Sequence, residues 1–269
     1  PGDPVRNVVH NYSGMWVTSN KYVLFDRLIQ SAYSRDAWDG PPGGAQTSAS
    51  LDVFQDQSAV VARDEGTGRL IPFNVVTARA VTDGVVPVSP TAIVDMRGGT
   101  LAALYPSTGK IFATRYDPAT APSLQDLADN AKPIAQIAVP PKAATTAATA
   151  YSALAVANDG TIYAADLSGK LATIAATGQG FAKVTYRSIP APKSIELSTL
   201  GSHVIALDAI SGTVTVDDGK PLSLGRPDPQ ARVQQPGADA SSVLVATSKA
   251  MDAVPLSGGS ATTIFGSAS

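Results

Sequence analysis

One short pattern recurs six times along this chain and limits what the chain can fold into. In each copy, two runs of alternating apolar residues flank a reversal made of a small polar residue and a following glycine or asparagine. The six reversals are Ser19-Asn20, Thr67-Gly68, Thr108-Gly109, Ser168-Gly169, Ser211-Gly212 and Ser257-Gly258. They are 41 to 48 residues apart, except for the 60 residues between the third and the fourth. A period of this length that contains several short strands is typical of the β-propeller blade.

We therefore predict an all-β fold, a β-propeller formed by residues 1–269 as a single domain. The count of repeats predicts six blades. Seven blades is the alternative if the segment 1–12 or a strand beyond the last residue completes another blade. Helical repeats are excluded because the sequence shows almost no periodicity of 3.6 residues.

The fourth copy, AVANDGTIYAADLSGKLATI (155–174), shows the pattern most clearly. Its β-branched and aromatic residues suit a half-buried pleated sheet, and Asp159-Gly160 suits a tight hairpin turn. Aspartates recur just before the reversal in three copies, at Asp64, Asp166 and Asp208. We interpret these aspartates as caps of the turn backbone, because an aspartate side chain accepts hydrogen bonds from amides two or three residues ahead.

Two insertions interrupt the pattern. Residues 35–49 are rich in proline and glycine, and residues 116–149 contain the stretch SLQDLADNAKP. There Ser123 and Asp126 have the spacing of a helix capping box, which predicts one short helix that ends at Pro133. Binding residues commonly lie on loops that a rigid framework holds. Seven residues of the insertions are our candidates for contact with a partner: Trp38, Asp39, Pro41, Pro42, Leu124, Asp126 and Leu127.

The composition contains few of the residue types that commonly form a catalytic centre. The absence of cysteine excludes thiolate chemistry, and two histidines, His10 and His203, are too few for a histidine-rich metal centre. His203 begins a strand in GSHVIALD, and a catalytic role there would require a serine or carboxylate partner that only three dimensions can identify. We interpret it as a strand-end residue. A site made of carboxylates alone stays open for a hard cation.

Known nucleotide motifs are absent. PSTGKIF is not a phosphate-binding loop, because the pattern requires glycine where Leu104 stands and serine or threonine where Ile111 stands. We predict no catalytic residue, no metal ligand and no cofactor. The net charge of −2, without a basic run, argues against nucleic acid or an anionic membrane as partner. No stretch approaches the roughly 18 consecutive apolar residues of a membrane span. We expect a monomer that itself contacts neither nucleic acid nor membrane.

The strands resemble those of a known group of proteins. The stretches GMWVTSNKYVLFDRLIQSA, AVVARDEGTGRLIPFNVVTARA and LAVANDGTIYAADLSGKLATI are similar to the N-terminal, extracytoplasmic, propeller-like region of large actinobacterial surface proteins with fibronectin type III domains. The resemblance implies a cell-surface location, a membrane anchor upstream of this chain and fibronectin modules downstream of it. It implies no catalytic residues.

Three functions follow from these observations. The first is a non-enzymatic extracellular scaffold that binds an extracellular or host protein, or a cell-surface glycan, through the loops between strands. The second is a propeller hydrolase or lyase with an acidic site at a central channel. The third is a structural spacer domain.

Overall fold

In the structure, a computed structural model, the regular secondary structure of the described residues is almost entirely β-strand. It describes residues 51–64, 66–74, 79–117, 122–128, 130–137, 152–178, 180–234 and 240–266, together with the backbone of four strands within residues 1–50. The helical segments of these residues are two 3-10 turns, η1 (Thr82–Gly84) and η2 (Gln125–Leu127). In the same part of the chain, no helix is long and apolar enough to cross a membrane.

The described strands form five four-stranded antiparallel sheets and one five-stranded sheet, which we number 1 to 6 in chain order. The predicted all-β class is therefore confirmed. The chain also divides into two compact units: Pro1–Tyr105 with Phe112–Ile134, and Pro106–Ile111 with Ala135–Ser269. The formation of one domain by residues 1–269 stays a prediction.

Sheets 1 and 2 belong to the first unit, and the boundary between the units falls within sheet 3. Sheet 1 consists of β1 (Asn7–His10), β2 (Met15–Thr18), β3 (Val23–Asp26) and β4 (Ser34–Trp38). Sheet 2 consists of β5 (Leu51–Asp56), β6 (Ala59–Asp64), β7 (Arg69–Asn74), β8 (Arg79–Ala80) and β9 (Val86–Pro87). Sheet 3 consists of β10 (Ile93–Arg97), β11 (Thr100–Tyr105), β12 (Lys110–Arg115) and β13 (Ala135–Gln136).

Sheets 4, 5 and 6 belong to the second unit. Sheet 4 consists of β14 (Ser152–Val156), β15 (Ile162–Asp166), β16 (Lys170–Ile174) and β17 (Thr185–Ser188). Sheet 5 consists of β18 (Glu196–Leu200), β19 (His203–Asp208), β20 (Thr213–Val216) and β21 (Leu222–Ser223). Sheet 6 consists of β22 (Arg232–Gln234), β23 (Ser242–Ala246), β24 (Ala250–Pro255) and β25 (Thr262–Gly266).

Five of the six predicted reversals lie in the described residues, and each is a turn between neighbouring strands. Their glycines, Gly68, Gly109, Gly169, Gly212 and Gly258, have φ angles of 64°, 66°, 77°, 65° and 86°. A residue with a Cβ atom would lose stability in this left-handed conformation. Glycine has no Cβ atom, which explains why these reversals end in glycine. The reversal at Ser19-Asn20 lies outside the described residues.

The sixth repeat corrects the predicted alignment. In sheets 2 to 5 the reversal joins the second and third strands, whereas Ser257-Gly258 joins β24 and β25, the third and fourth strands of sheet 6. The equivalent turn of sheet 6 is 247–249, which contains no glycine. Asp228 holds this turn from outside, because its Oδ2 accepts hydrogen bonds from the amide (2.6 Å) and the hydroxyl (2.7 Å) of Ser248. These hydrogen bonds lower the pKa of Asp228 below its ordinary value.

The interpretation of the recurring aspartates as turn caps is confirmed. Each accepts a backbone N–H two or three residues ahead: Asp64 from Gly66 (3.0 Å) and Thr67 (3.2 Å), Asp166 from Ser168 (2.7 Å), and Asp208 from Ser211 (3.1 Å). Asp208 also reaches a distant segment, since it accepts the amides of Lys193 (2.8 Å) and Ser194 (3.1 Å). Burial alone would raise the pKa of Asp208, but these hydrogen bonds outweigh it and lower the pKa.

Apolar side chains fill the spaces between neighbouring sheets. One cluster joins sheets 2 and 3 and includes Leu70, Leu101 and Phe112. In the second unit, one cluster joins sheets 4 and 5, and another joins sheets 5 and 6. The burial of these side chains supplies the main driving force for packing the sheets, and β11 and β14 are buried along their whole length.

Candidate functional site

The first predicted contact loop lies almost wholly outside the described residues. Trp38 is the last residue of β4, where its backbone pairs with Val23. Asp39, Pro41 and Pro42 lie outside the described residues. Their role as partner contacts stays a prediction.

The second predicted contact loop is packed into the protein. Leu124 and Leu127 are 1% and 0% exposed and belong to the apolar cluster of sheets 2 and 3. The Tyr105 hydroxyl donates a hydrogen bond to the Leu127 carbonyl at 2.9 Å. Asp126 is exposed, and its carboxylate lies 3.4 Å from the hydroxyl of Thr114.

This packing corrects the prediction for the loop. The expected short helix is the single 3-10 turn η2, and no side chain caps its start, so Ser123 and Asp126 do not form a capping box. A 3-10 turn has three residues per turn, and it therefore directs Leu124 and Leu127 to the same side. That side faces the core, which leaves Asp126 as the one predicted residue of this loop that is open to a partner.

A polar cavity between sheets 4 and 5 is the site that sequence reasoning missed. It has a volume of about 160 Å³. Seven residues line it: Tyr163, Thr173, Thr185, Tyr186, Arg187, Ser202 and Asp217. They come from β15, β16, β17, the turn between β18 and β19, and the position directly after β20. We call this site the polar cavity.

Strand register explains how sheet 4 supplies its part of the cavity. Tyr163 on β15 lies opposite Thr173 on β16, and Thr173 lies opposite Thr185 on β17. Residues directly opposite in an antiparallel sheet share a face, and so do residues two apart on a strand. Arg187 therefore lies on the same face as Thr185. Further along this face the residues are apolar and pack against sheet 5, so the cavity lies where that apolar contact ends.

Sheet 5 supplies a carboxylate that its backbone holds in place. Asp217 follows β20 with a φ of 55° and donates its amide to the Val204 carbonyl at 2.8 Å. The Val204 amide in turn donates to Asp217 Oδ1 at 3.0 Å. The other oxygen, Oδ2, lies 2.7 Å from His203 Nδ1. One backbone hydrogen bond and one ring contact thus hold the carboxylate, and a second backbone hydrogen bond holds the main chain of Asp217.

Arg187 brings a positive charge to the same place. Its Nη2 lies 3.8 Å from Asp217 Oδ1, and about a third of each side chain is exposed (33% and 31%). The Arg187 Nε is buried and has no hydrogen-bond partner. A half-exposed pair at this distance contributes little stability, because water screens it.

Tyr163 adds a phenol that stays neutral. Burial raises its pKa, and the negative charge of Asp159 raises it further, while Arg187 acts in the opposite direction. The hydroxyl is therefore both a donor and an acceptor at physiological pH. Tyr186 differs, since it is exposed, its hydroxyl donates to the Gln136 carbonyl at 3.0 Å and Lys170 lies 4.1 Å from its ring centre.

His203 has a carboxylate partner, Asp217, of the kind that a catalytic role for this histidine would require. Across the hairpin that turns at Ser211-Gly212, Ile205 pairs with Val216, so extending this register places Asp217 beside Val204. Hairpin counting could therefore have found this pair. Nothing in the sequence indicates that Arg187, which lies on another sheet, approaches it. Within the described residues, no group of three or more metal-ligating side chains occurs.

Comparison with known proteins identifies the fold. No protein-family model and no curated protein matches the chain. Among solved structures, Hsv2 of Kluyveromyces marxianus has a TM-score of 0.58 at 10% identity, covering 95% of this chain and 77% of Hsv2. A catalytically inactive variant of virginiamycin B lyase from Staphylococcus aureus, solved with quinupristin, has a TM-score of 0.58 at 10% identity. The coverage there is 91% of this chain and 78% of the lyase.

A third similar structure is PorZ of Porphyromonas gingivalis, an essential bacterial surface component of the type-IX secretion system. It has a TM-score of 0.59 at 14% identity, and the match covers 97% of this chain and 33% of PorZ. These structures are β-propellers. At such low identity the likeness shows a propeller-like fold and nothing about activity.

Proposed function

We propose that this chain is a six-bladed, non-enzymatic binding domain that acts outside the cell, at a bacterial surface, and holds a protein or a glycan. The observation that carries the proposal is the polar cavity. It brings hydrogen-bond donors, acceptors and tyrosine side chains together in a concave site, and convergent polar groups of this kind fix the orientation of a ligand. Asp126, in η2, and the four residues Trp38, Asp39, Pro41 and Pro42 are further candidate contacts.

The proposed location rests on resemblance. The repeats are similar to the extracytoplasmic region of actinobacterial surface proteins with fibronectin type III domains, which are anchored in the membrane. PorZ, which shares the fold, is a bacterial surface component. We propose the same kind of location for this chain, with its anchor upstream and its fibronectin modules downstream.

Binding to cell envelopes tests this function. Fluorescently labelled protein is titrated against envelope fractions from actinobacteria, and saturable binding is measured. Arg187→Ala should weaken that binding, because it removes the positively charged donor of the polar cavity. Arg232→Ala is the matched control, since Arg232 is 61% exposed and does not line the cavity. Absence of saturable binding to every fraction would contradict the proposal and leave the spacer function.

One observation favours an enzyme as the second candidate. The Asp217 carboxylate lies against His203 Nδ1, which leaves Nε2 as the nitrogen that could transfer a proton, as in a hydrolase or lyase. The similar virginiamycin B lyase was made inactive by a histidine-to-alanine substitution. Incubation with quinupristin, followed by mass spectrometry, tests this candidate. Turnover by the wild type and none by His203→Ala would favour the enzyme, and no turnover by either would count against it.

A further inference from the structure

We propose that the polar cavity binds a single uncharged sugar ring, the terminal residue of a glycan. This inference rests on the proposed function of a binding domain and names its ligand class. Four properties of the cavity support it: its size, the mixture of donors and acceptors, the balance of charge and the rigidity of the lining.

The size of the cavity limits its ligand to about one ring. A cavity of about 150 Å³ accommodates benzene, and the polar cavity has about 160 Å³. A sugar ring with its hydroxyl groups is larger than benzene, so part of the ring would lie in solvent, which the open side of the cavity allows. Pockets for drug-sized molecules are larger, about 300 to 1,000 Å³. The aromatic side chains that commonly anchor protein partners need apolar pockets, and this cavity is lined mostly by polar residues. A sugar ring therefore suits the cavity better than a protein side chain does.

The lining of the polar cavity contains both hydrogen-bond donors and hydrogen-bond acceptors. Each sugar hydroxyl donates one hydrogen and accepts others, so a sugar site needs donors and acceptors side by side. Arg187 is a donor only, Asp217 is an acceptor only, and the hydroxyls of the other side chains do both. The hydroxyls that can turn to a sugar are those of Tyr163, Thr173, Thr185 and Ser202, whereas the Tyr186 hydroxyl already donates to the Gln136 carbonyl. Tyr163 also offers ring surface to the C–H groups of a sugar.

The charges of the lining favour a neutral ligand. The two fully charged side chains are Arg187 and Asp217, one of each sign, and their nearest atoms are 3.8 Å apart. An anionic ligand that approaches Arg187 meets the Asp217 carboxylate, and a cationic ligand that approaches Asp217 meets the guanidinium. A neutral polyol interacts with both groups without repulsion.

The lining is held before the ligand arrives. Asp217 is fixed by its two hydrogen bonds with the Val204 backbone, and Thr173 and Thr185 lie on paired strands. A rigid site loses little conformational freedom on binding, which improves affinity. A ligand as small as one sugar ring nevertheless makes few contacts, so we expect a Kd on the order of 1 mM for a monosaccharide.

Ligand-observed NMR with simple sugars tests the inference. The neutral probes are the methyl α-glycosides of glucose, galactose and mannose; glucuronate is the acidic probe and glucosamine the basic probe. We expect at least one methyl glycoside to bind at millimolar concentration and more tightly than either charged sugar. Failure of all three to bind, or tighter binding of glucuronate or glucosamine, would overturn the inference.

Substitutions tie that binding to the cavity. Arg187→Ala and Asp217→Asn should each weaken it at least tenfold, whereas the control Arg232→Ala should leave it unchanged. Asparagine tolerates the left-handed φ of position 217 and its side-chain oxygen still accepts the Val204 amide, so Asp217→Asn is expected to fold. Thermal unfolding checks that each variant is folded. Equal binding by both variants and the wild type would overturn the assignment to this cavity.

Two further arms identify the source of the sugar. A methyl glycoside represents the end of a glycan. Binding of free glucose, galactose or mannose without binding of any methyl glycoside would therefore overturn the inference that the ligand is the terminal residue of a glycan. Envelope fractions are also treated with periodate, which destroys sugar diols, or with protease. Loss of binding after periodate alone supports the glycan, and loss after protease alone indicates a protein partner. In the second case the proposed function survives and this inference fails.

Discussion

Replacement of Gly212 by alanine tests the reason for the repeated glycine. Gly212 lies in the turn between β19 and β20 with a φ of 65°. A Cβ atom there would overlap the Arg226 carbonyl oxygen and lie 2.6 Å from the Arg226 carbon and 2.8 Å from Pro227 N. All three are backbone atoms, so a side chain cannot rotate away to make room. The segment is also tied to the turn, because the Leu224 amide donates to the Gly212 carbonyl at 2.9 Å.

Two control glycines separate the two costs. Gly225 has a φ of 80° and no atom within 4 Å of an added Cβ, so Gly225→Ala incurs only the conformational cost, about 1–2 kcal/mol. Gly178 has neither a left-handed φ nor a close neighbour, so Gly178→Ala should stabilise the protein by about 0.4–1 kcal/mol. Gly212→Ala adds an overpacking cost of about 1–3 kcal/mol to the conformational cost, which gives about 2–5 kcal/mol in total.

Urea unfolding followed by circular dichroism measures these differences. The midpoint should fall in the order Gly178→Ala, wild type, Gly225→Ala, Gly212→Ala, with similar m-values. A loss of 2–5 kcal/mol is a large part of a total stability of about 5–15 kcal/mol. If Gly212→Ala were no less stable than Gly225→Ala, the close backbone approach at this turn would not limit the residue type, and the reasoning would be refuted.

Three further predictions concern single side chains. Leu127→Ala should lower the free energy of unfolding by about 2–5 kcal/mol, because Leu127 is fully buried. The control Asp126→Ala, at an exposed residue, should change the free energy of unfolding by less than about 0.5 kcal/mol. Equal effects of the two substitutions in urea unfolding would contradict the packing of η2. Tyr116→Phe should cost about 1.5–3 kcal/mol by the same assay, since it removes the 2.7 Å hydrogen bond from the tyrosine hydroxyl to Asp56, and a neutral result would rule out a stabilising role. Hydrogen bonds hold the pKa of Asp228 below its ordinary value of 3.8. Ionised Asp228 therefore stabilises the fold above pH 3.8, and this contribution is lost as the pH falls through the folded-state pKa. Asp228→Asn should therefore destabilise the protein more at pH 7 than at pH 2 in thermal unfolding, and an equal loss at both would contradict the pKa direction.

Much of the fold could be predicted because its signals are local. The turn at Ser168-Gly169 needs a left-handed residue, and Asp166 caps it through an amide two residues ahead. Both requirements act within a few residues, and strand alternation likewise repeats every second residue. The sixth repeat was misaligned because its equivalent turn lacks these local signals. That turn has no glycine, and Asp228, 20 residues away in the chain, holds it.

The sequence by itself determined an all-β chain of short strands, their turns and the aspartates that cap them, because these features depend on neighbouring residues. Only the tertiary structure decided that Leu124 and Leu127 face the core and that Arg187 meets Asp217. Those outcomes depend on which faces of separate sheets come together. Burial and charge pairing are properties of that contact, so residues far apart in the chain carry no local sign of it.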